Sequence, residues 1–244
     1  MRQIKKSPEP GHFIKWKKDF KFSNGRDAEY EDLKGTNEYL LLKKSLVEEQ
    51  GYICCYCEKR IGKQQYLTDC DIEHFMPRHP DSRVLSPKER KRCIDAQMDY
   101  ANLFASCKGE IGESADHCNH KKDNWFSFRS CISPSDPRIG GVFGFGLDGR
   151  LFVKDPAGQE MARHLNLNSY VLQEQRKAAF DAMMEVEFED EDLLGDREYV
   201  EAVIGDYESM EGGEYAEFCS MIVYCLRENW GGGVSWCNLA KEAN

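Results

Sequence analysis

The sequence predicts an α+β protein, in which a small metal-stapled core of short strands and helices is followed by a mainly helical region holding one β-hairpin. Three observations carry this expectation. Cys54-Cys55-Tyr56-Cys57, and much later Cys107 and Cys118, have the order of a four-cysteine tetrahedral zinc site. Tyr39, Leu40, Leu42, Leu46 and Val47 form a helical stripe just ahead of the first pair. Asp148-Gly149 lies between the apolar runs Val142–Leu147 and Arg150–Val153, a strong hairpin signal.

Taken in order, residues 1–36 are rich in Lys, Pro, Gly and aromatics and read as an extended arm punctuated by Pro8, Pro10 and Gly11. A helix is expected from Asn37, its possible N-cap, to Gln50, with Gly51 ending it. Tyr66-Leu67 and Ile72 suggest a short strand closing at Glu73-His74, and 86–97 a short helix capped by Ser86. Residues 99–107 return the chain to the cysteines, and 118–125 begin a core helix. Ser133-Pro134-Ser135-Asp136-Pro137 is a loop, and Leu165–Val186 a long helix capped by Ser169. The acidic run 187–192 reads as a solvated linker, and 197–210 and 214–229 as two further helices, the last stopped by Gly231-Gly232-Gly233. The expected divisions are an arm over 1–36, a metal-stapled core over 37–130, and a hairpin and helical region over 131–244, a partner-docking candidate.

Composition sets limits. A chain of 244 residues with 41% hydrophobic content can bury a substantial core. No run approaches the roughly 20 apolar residues of a membrane helix, and Met1-Arg2-Gln3-Ile4-Lys5-Lys6 does not lead into a signal-like segment, so the expected location is the cytoplasm. Eleven cysteines, an odd number, fit a reducing compartment better than a disulfide scaffold. Cys54, Cys57, Cys107 and Cys118 are taken as the zinc ligands. Cys55, Cys70, Cys93, Cys131, Cys219, Cys225 and Cys237 read as ordinary thiols. The net charge of −10 argues against a polyanion partner until its distribution is read. Residues 1–125 hold 23 Lys+Arg against 21 Asp+Glu, net +2, and the rest 10 against 22, net −12. Lys15-Trp16-Lys17-Lys18 and Lys88-Glu89-Arg90-Lys91-Arg92 are basic clusters in the first part that could meet phosphates.

Between the cysteine pairs, and just after the second, lie residues that suit phosphodiester hydrolysis. His74, with an ordinary pKa of about 6.5, is suited to activating a water near neutral pH. Glu73, Asn119 and Asp123 offer the oxygen ligands that a hard cation such as Mg2+ prefers. Asn119 and Asp123, four apart, would share one face of the expected helix.

The order Cys-x-x-Cys, Glu73-His74, Asn102-Leu103, Cys107, then Cys118-Asn119-His120-Lys121-Lys122 resembles the HNH endonuclease family, in its ββα-metal type with a four-cysteine zinc site. Glu49–Glu58, Glu73-His74-Phe75, the Pro134 loop and Leu165-Asn166-Leu167-Asn168 resemble the PtuB group of that family, the nucleases of Septu and retron-associated anti-phage systems. The resemblance implies His74 as general base, Glu73 and Asn119 as ligands of a catalytic divalent ion, and Asn102 as the residue steadying the base-bearing loop. Lys122, with Arg78, becomes a candidate phosphate contact. It also implies a nucleic-acid substrate, DNA or tRNA, and a PtuA-type ATPase partner, through which a retron reverse transcriptase and its RNA–DNA product could be reached. The ten residues between Cys107 and Cys118 depart from the family's usual short spacing. They leave His117 and His120 open as alternative ligands, and Cys55 could compete with Cys54 or Cys57. A zinc-stapled adaptor without catalysis is the competing class.

Overall fold

The structure is a computed structural model that describes residues 1–109 and 116–230. The proposed stop at Gly231–Gly233, Cys237, and most of the insert after Cys107 lie outside the described residues.

The first departure from expectation is at the start of the chain. Residues 11–24 of the expected extended arm form a helix, α1 (Gly11–Asn24). Phe13, Trp16 and Phe20 recur at helical spacing and stack along one side, Phe13 fully buried, and Pro10 precedes the helix while Gly25 closes it in the left-handed conformation. A single turn, α2 (Tyr30–Leu33), follows, closed by reciprocal hydrogen bonds between Glu29 and Asp32. In the next helix, α3 (Asn37–Glu49), the cap falls one residue earlier than expected: Thr36, not Asn37, accepts the Tyr39 N–H.

Two short strands form the centre. β1 (Cys70–His74) and β2 (Leu103–Cys107) pair antiparallel with Cys70 opposite Cys107 and His74 opposite Leu103. Between them runs α4 (Pro87–Asp95), whose Ser86 and Glu89 form a capping box. After β2 comes the five-residue α5 (Cys118–Lys122), packed against β2. Thus the chain orders strand, strand and short helix, with α3 lying on both strands.

The hairpin expected around Asp148-Gly149 is present as β3 (Phe143–Phe145) and β4 (Leu151–Val153), entered through a turn, α6 (Ile139–Val142). Gly149 has φ +79°, and a Cβ there would stand 2.0 Å from the Gln173 carbonyl oxygen, so this turn requires glycine. A short helix with no clear sequence signal, α7 (Gly158–His164), precedes α8 (Tyr170–Glu187), which Ser169 caps. Then α9 (Arg197–Glu208) and α10 (Cys219–Trp230) pack on each other, and α10 also meets α8 and β3. One continuous apolar cluster runs from Met1 and Phe13 through Leu46, Phe104 and Cys118 to Phe180, Val203 and Leu226. The C-terminal elements therefore share the core of the strands. No helix among the described residues is long and apolar enough to cross a membrane.

Candidate metal centre and candidate active site

The first cysteine pair sits on a tight knuckle. The Glu58 N–H donates to the Cys54 carbonyl, the Cys54 N–H to the Lys59 carbonyl, and Glu58 takes a φ of +66°. The knuckle is fastened to β2 twice. Cys55 N–H donates to the Ala105 carbonyl, and the buried Gln50 amide both accepts from Ala105 N–H at 2.7 Å and donates to its carbonyl at 2.8 Å. Gln50 thus does for this edge of β2 what a neighbouring strand does elsewhere.

Cys54, Cys57, Cys107 and Cys118 converge: their sulfurs all lie within 4.8 Å of one another and all four are buried. A tetrahedral site with Zn–S bonds of about 2.3 Å needs sulfurs about 3.8 Å apart. Cys57 and Cys107 stand at 3.7 Å. The donor set and spacing fit a structural zinc ion. Burial opposes charge on these thiols, yet hydrogen bonds from Cys107 and Cys118 bring Cys54 well below, and Cys57 below, the ordinary thiol range. Burial and its hydrogen bonds to its neighbours push Cys118 well above it. Without a cation the four sulfurs cannot all carry charge.

The alternative ligands separate. Cys55 is outside the cluster, and burial raises its thiol well above the usual range. His120 is exposed and pairs with Asp116 at 3.3 Å. His117 is fully buried, its Nδ1 3.2 Å from the Cys118 sulfur and 3.8 Å from Cys107, its Nε2 without a hydrogen-bond partner among the described residues. That places its Nδ1 against the cluster, beside the Cys118 and Cys107 sulfurs.

Cys118 itself adopts φ +56°, and its N–H donates to the Leu165 carbonyl at 2.9 Å. This explains Leu165-Asn166-Leu167-Asn168. Asn166 Nδ2 donates to the Asp116 carbonyl, the Leu167 carbonyl accepts from Arg176, and the Asn168 amide brackets Leu151 N–H and C=O in β4. One turn joins the second cysteine pair, the hairpin and α8. The sequence marked the motif without indicating this role.

At the other end of β1, Glu73 and His74 are both buried. His74 Nε2 hydrogen-bonds the Gln97 carbonyl at 3.0 Å, which fixes the proton there in the neutral ring and leaves Nδ1 as acceptor. Burial pushes its pKa down to about 3. Asn102 Oδ1 accepts the Met76 N–H at 2.7 Å, and its Nδ2 donates to the Met76 and Ala96 carbonyls. It clamps the loop that follows His74 to the segment that holds its ring.

Three expected site residues are placed differently from expectation. Lys122, the candidate phosphate contact, is buried, its ammonium 2.7 Å from Glu73 Oε1 and 3.0 Å from the His74 carbonyl. Tyr56 OH donates to the same Glu73 oxygen at 2.8 Å. Asp123 does not share a helix face with Asn119, because α5 ends at Lys122 and Asp123 has φ +47° in an exposed position. Arg78 is paired with Glu31 and lies 4.5 Å over the Tyr30 ring. Tyr30 in turn packs edge-on to His74 with centroids 4.4 Å apart, and its N–H donates to the Gln97 side chain. So α2, from the supposed arm, covers His74. Among the described residues, the four cysteines are the group of His, Cys, Asp and Glu side chains close enough to hold an ion together.

No protein-family model matches the chain, and no curated protein matches it. What the geometry defines is a mixed helix-and-sheet protein with a buried four-cysteine cluster able to bind a metal ion.

Proposed function

We propose that this chain is an HNH-type endonuclease that hydrolyses phosphodiester bonds, built on a zinc-stapled ββα-metal core made of β1, β2 and α5. The observation that carries the reading is the hold on His74: a strand-terminal imidazole with its tautomer fixed by the Gln97 carbonyl and its loop clamped by Asn102. A neutral ring whose Nδ1 carries the free lone pair is what a general base for water requires, once the cover of Tyr30 and the burial that holds its pKa down at about 3 are relieved. His74 takes the water proton at Nδ1 as the oxygen attacks phosphorus; the P–O bond to the departing sugar oxygen breaks, and that oxygen takes a proton from solvent, while Gln97 keeps the ring oriented.

A divalent ion in such a site relieves charge on the phosphoryl oxygens. Glu73, Asn119 and Asp123 as arranged do not fit one. The cation against Glu73 is Lys122, and Asp123 lies beyond the helix end. Mg2+ binding at Glu73 therefore requires Lys122 to leave it. Access to His74 likewise requires α2 to move. These two contacts describe a closed state of the enzyme. They are also what favours the second reading, a catalytically silent zinc-stapled adaptor.

DNA is the favoured substrate and tRNA the alternative. The effector role in anti-phage defence, with a PtuA-type ATPase docked on the acidic C-terminal elements and a retron reverse transcriptase reached through it, belongs to the same proposal. Incubating the purified chain with plasmid DNA and with total tRNA, with Mg2+ or Mn2+ and with EDTA, separates the readings. Divalent-dependent cleavage of either supports the nuclease and selects the substrate; silence on both, with and without the ATPase, supports the adaptor.

A further inference from the structure

Arg176 is the largest fully buried side chain among the described residues, 2% exposed, and no carboxylate there salt-bridges it. Its guanidinium donates to the carbonyls of Leu167 at 2.8 Å and Gly149 at 3.3 Å. Two neutral acceptors do not balance a group that stays charged in proteins, and an unbalanced buried charge is strongly disfavoured. The negative groups around it are few. Arg176 shares the wall of one small space with Tyr56, Cys57 and Glu58; burial lowers the pKa of its guanidinium, and Cys57, Cys118 and Glu58 act against that. Glu58 has its own partners, the Met1 ammonium at 3.4 Å and the Ser220 N–H at 2.9 Å. Beyond the Phe145 ring, 5.7 Å from the guanidinium carbon, the wall it shares with Cys57 brings it beside one member of the cysteine cluster. Four thiolates around Zn2+ carry a net charge of −2.

We propose that Arg176 is the countercharge of a dianionic tetrathiolate zinc centre, a positioning residue by which α8 sets the affinity of a metal held by cysteines far earlier in the chain. The route is short: Arg176 holds the Leu167 carbonyl, and Leu165, two residues away, holds the Cys118 N–H. The charge on the metal side and the guanidinium on the helix side then each make burial of the other tolerable. This inference rests on the cysteine cluster alone and stands whether or not the chain is a nuclease.

The test is zinc affinity of the full chain, measured by competition with a chromogenic chelator for wild type, Arg176→Gln and Arg176→Lys. Loss of a group that supports a metal's ligands from outside typically costs about 10- to 100-fold in affinity. Arg176→Gln is expected to lose zinc affinity in that range, while Arg176→Lys, which keeps the charge but not the paired carbonyl bonds, stays within about threefold of wild type. Unchanged affinity in Arg176→Gln, or equal losses in both variants, overturns the proposal, since the side chain would then be only a tie between carbonyls. If Arg176→Gln does not fold with zinc, Arg176→Lys decides alone: near wild-type affinity supports the countercharge, and a tenfold or larger loss overturns it. Co2+ loaded into wild type must show sulfur-to-cobalt charge-transfer bands of a tetrathiolate site; their absence also overturns it.

Discussion

At the residue scale, the candidate active site is a set of buried polar groups that satisfy one another. Asn102 uses three hydrogen bonds to join the loop after His74 to Ala96. Asn102→Ala strands a buried N–H and two carbonyls, at a cost of about 2–3 kcal/mol. For a chain of this size that lowers Tm by roughly 4–12 °C in a thermal melt, and the loosened His74 loop should cost activity as well. Lys122 and Glu73 behave as a buried ion pair, their side chains 3% and 4% exposed. Lys122→Met alone leaves the Glu73 carboxylate unpaired and should destabilise by about 3–5 kcal/mol, whereas Lys122→Met with Glu73→Gln should recover much of that. A double-mutant cycle in urea checks the sign. The convergence of Cys54, Cys57, Cys107 and Cys118 could be read from spacing, because ligand order survives in sequence. That Lys122 and Arg78 are committed to Glu73 and Glu31 could not, because nothing local in either residue says which distant carboxylate will meet it.

At the scale of elements, α2 and the segment after α4 both hold His74, Tyr30 through its ring and Gln97 through its carbonyl. α2 lies between Gly25 and Gly35, both with positive φ and open space around them, and Tyr30 and Leu33 are its buried residues. Tyr30→Ala removes the ring that covers His74. The expected result is faster divalent-dependent cleavage than wild type with little change in zinc content; unchanged or slower cleavage would show that α2 is not a cover. α4 leads directly into Ala96 and Gln97, and ring packing among Phe75, Phe126, Phe128 and Arg92 holds it to the site. On it, Lys91 pairs with Asp95 and Glu89 serves the cap, leaving Lys88, Arg90 and Arg92 without a carboxylate partner among the described residues. Changing these three to Gln should weaken nucleic-acid binding and reduce the log–log salt slope by roughly 0.9 for each phosphate no longer neutralised. The helix at 86–97 and the hairpin at Asp148-Gly149 were legible because cap and turn chemistry are local. α1 was not, since Pro8, Pro10 and the lysines disguised the spacing of Phe13, Trp16 and Phe20. Nor was α7, whose seven residues owe their helix to packing of Met161 against the core.

Across the whole molecule, the acidic C-terminal region is not an appendage to a free-standing core. The apolar cluster is continuous from Phe13 to Leu226, and the turn at 165–168 fastens Cys118, β4 and α8 together. Deleting residues 160–244 should therefore abolish zinc binding and folding as well as any partner docking. A truncated chain that keeps its zinc would contradict this. Removing a metal ion bound at the four cysteines with a strong chelator should lower Tm and reduce the melting cooperativity of both halves at once, because the cluster links the 54–58 knuckle, β2 and α5, and the 165–168 turn ties Cys118 to α8. Such long-range joining is carried by carbonyls and buried charges, and sequence spacing holds no record of which carbonyl will accept which donor.

The most direct measurement of the central claim is cleavage of plasmid DNA and tRNA by the Tyr30→Ala chain beside Tyr30→Ala with His74→Ala, at matched zinc content and thermal stability. The account predicts divalent-dependent hydrolysis by the first and a loss of at least about 100-fold in the second, the usual share of a general base. Equal cleavage by both, or none by either with zinc bound and the fold intact, would contradict His74 as the base and with it the nuclease.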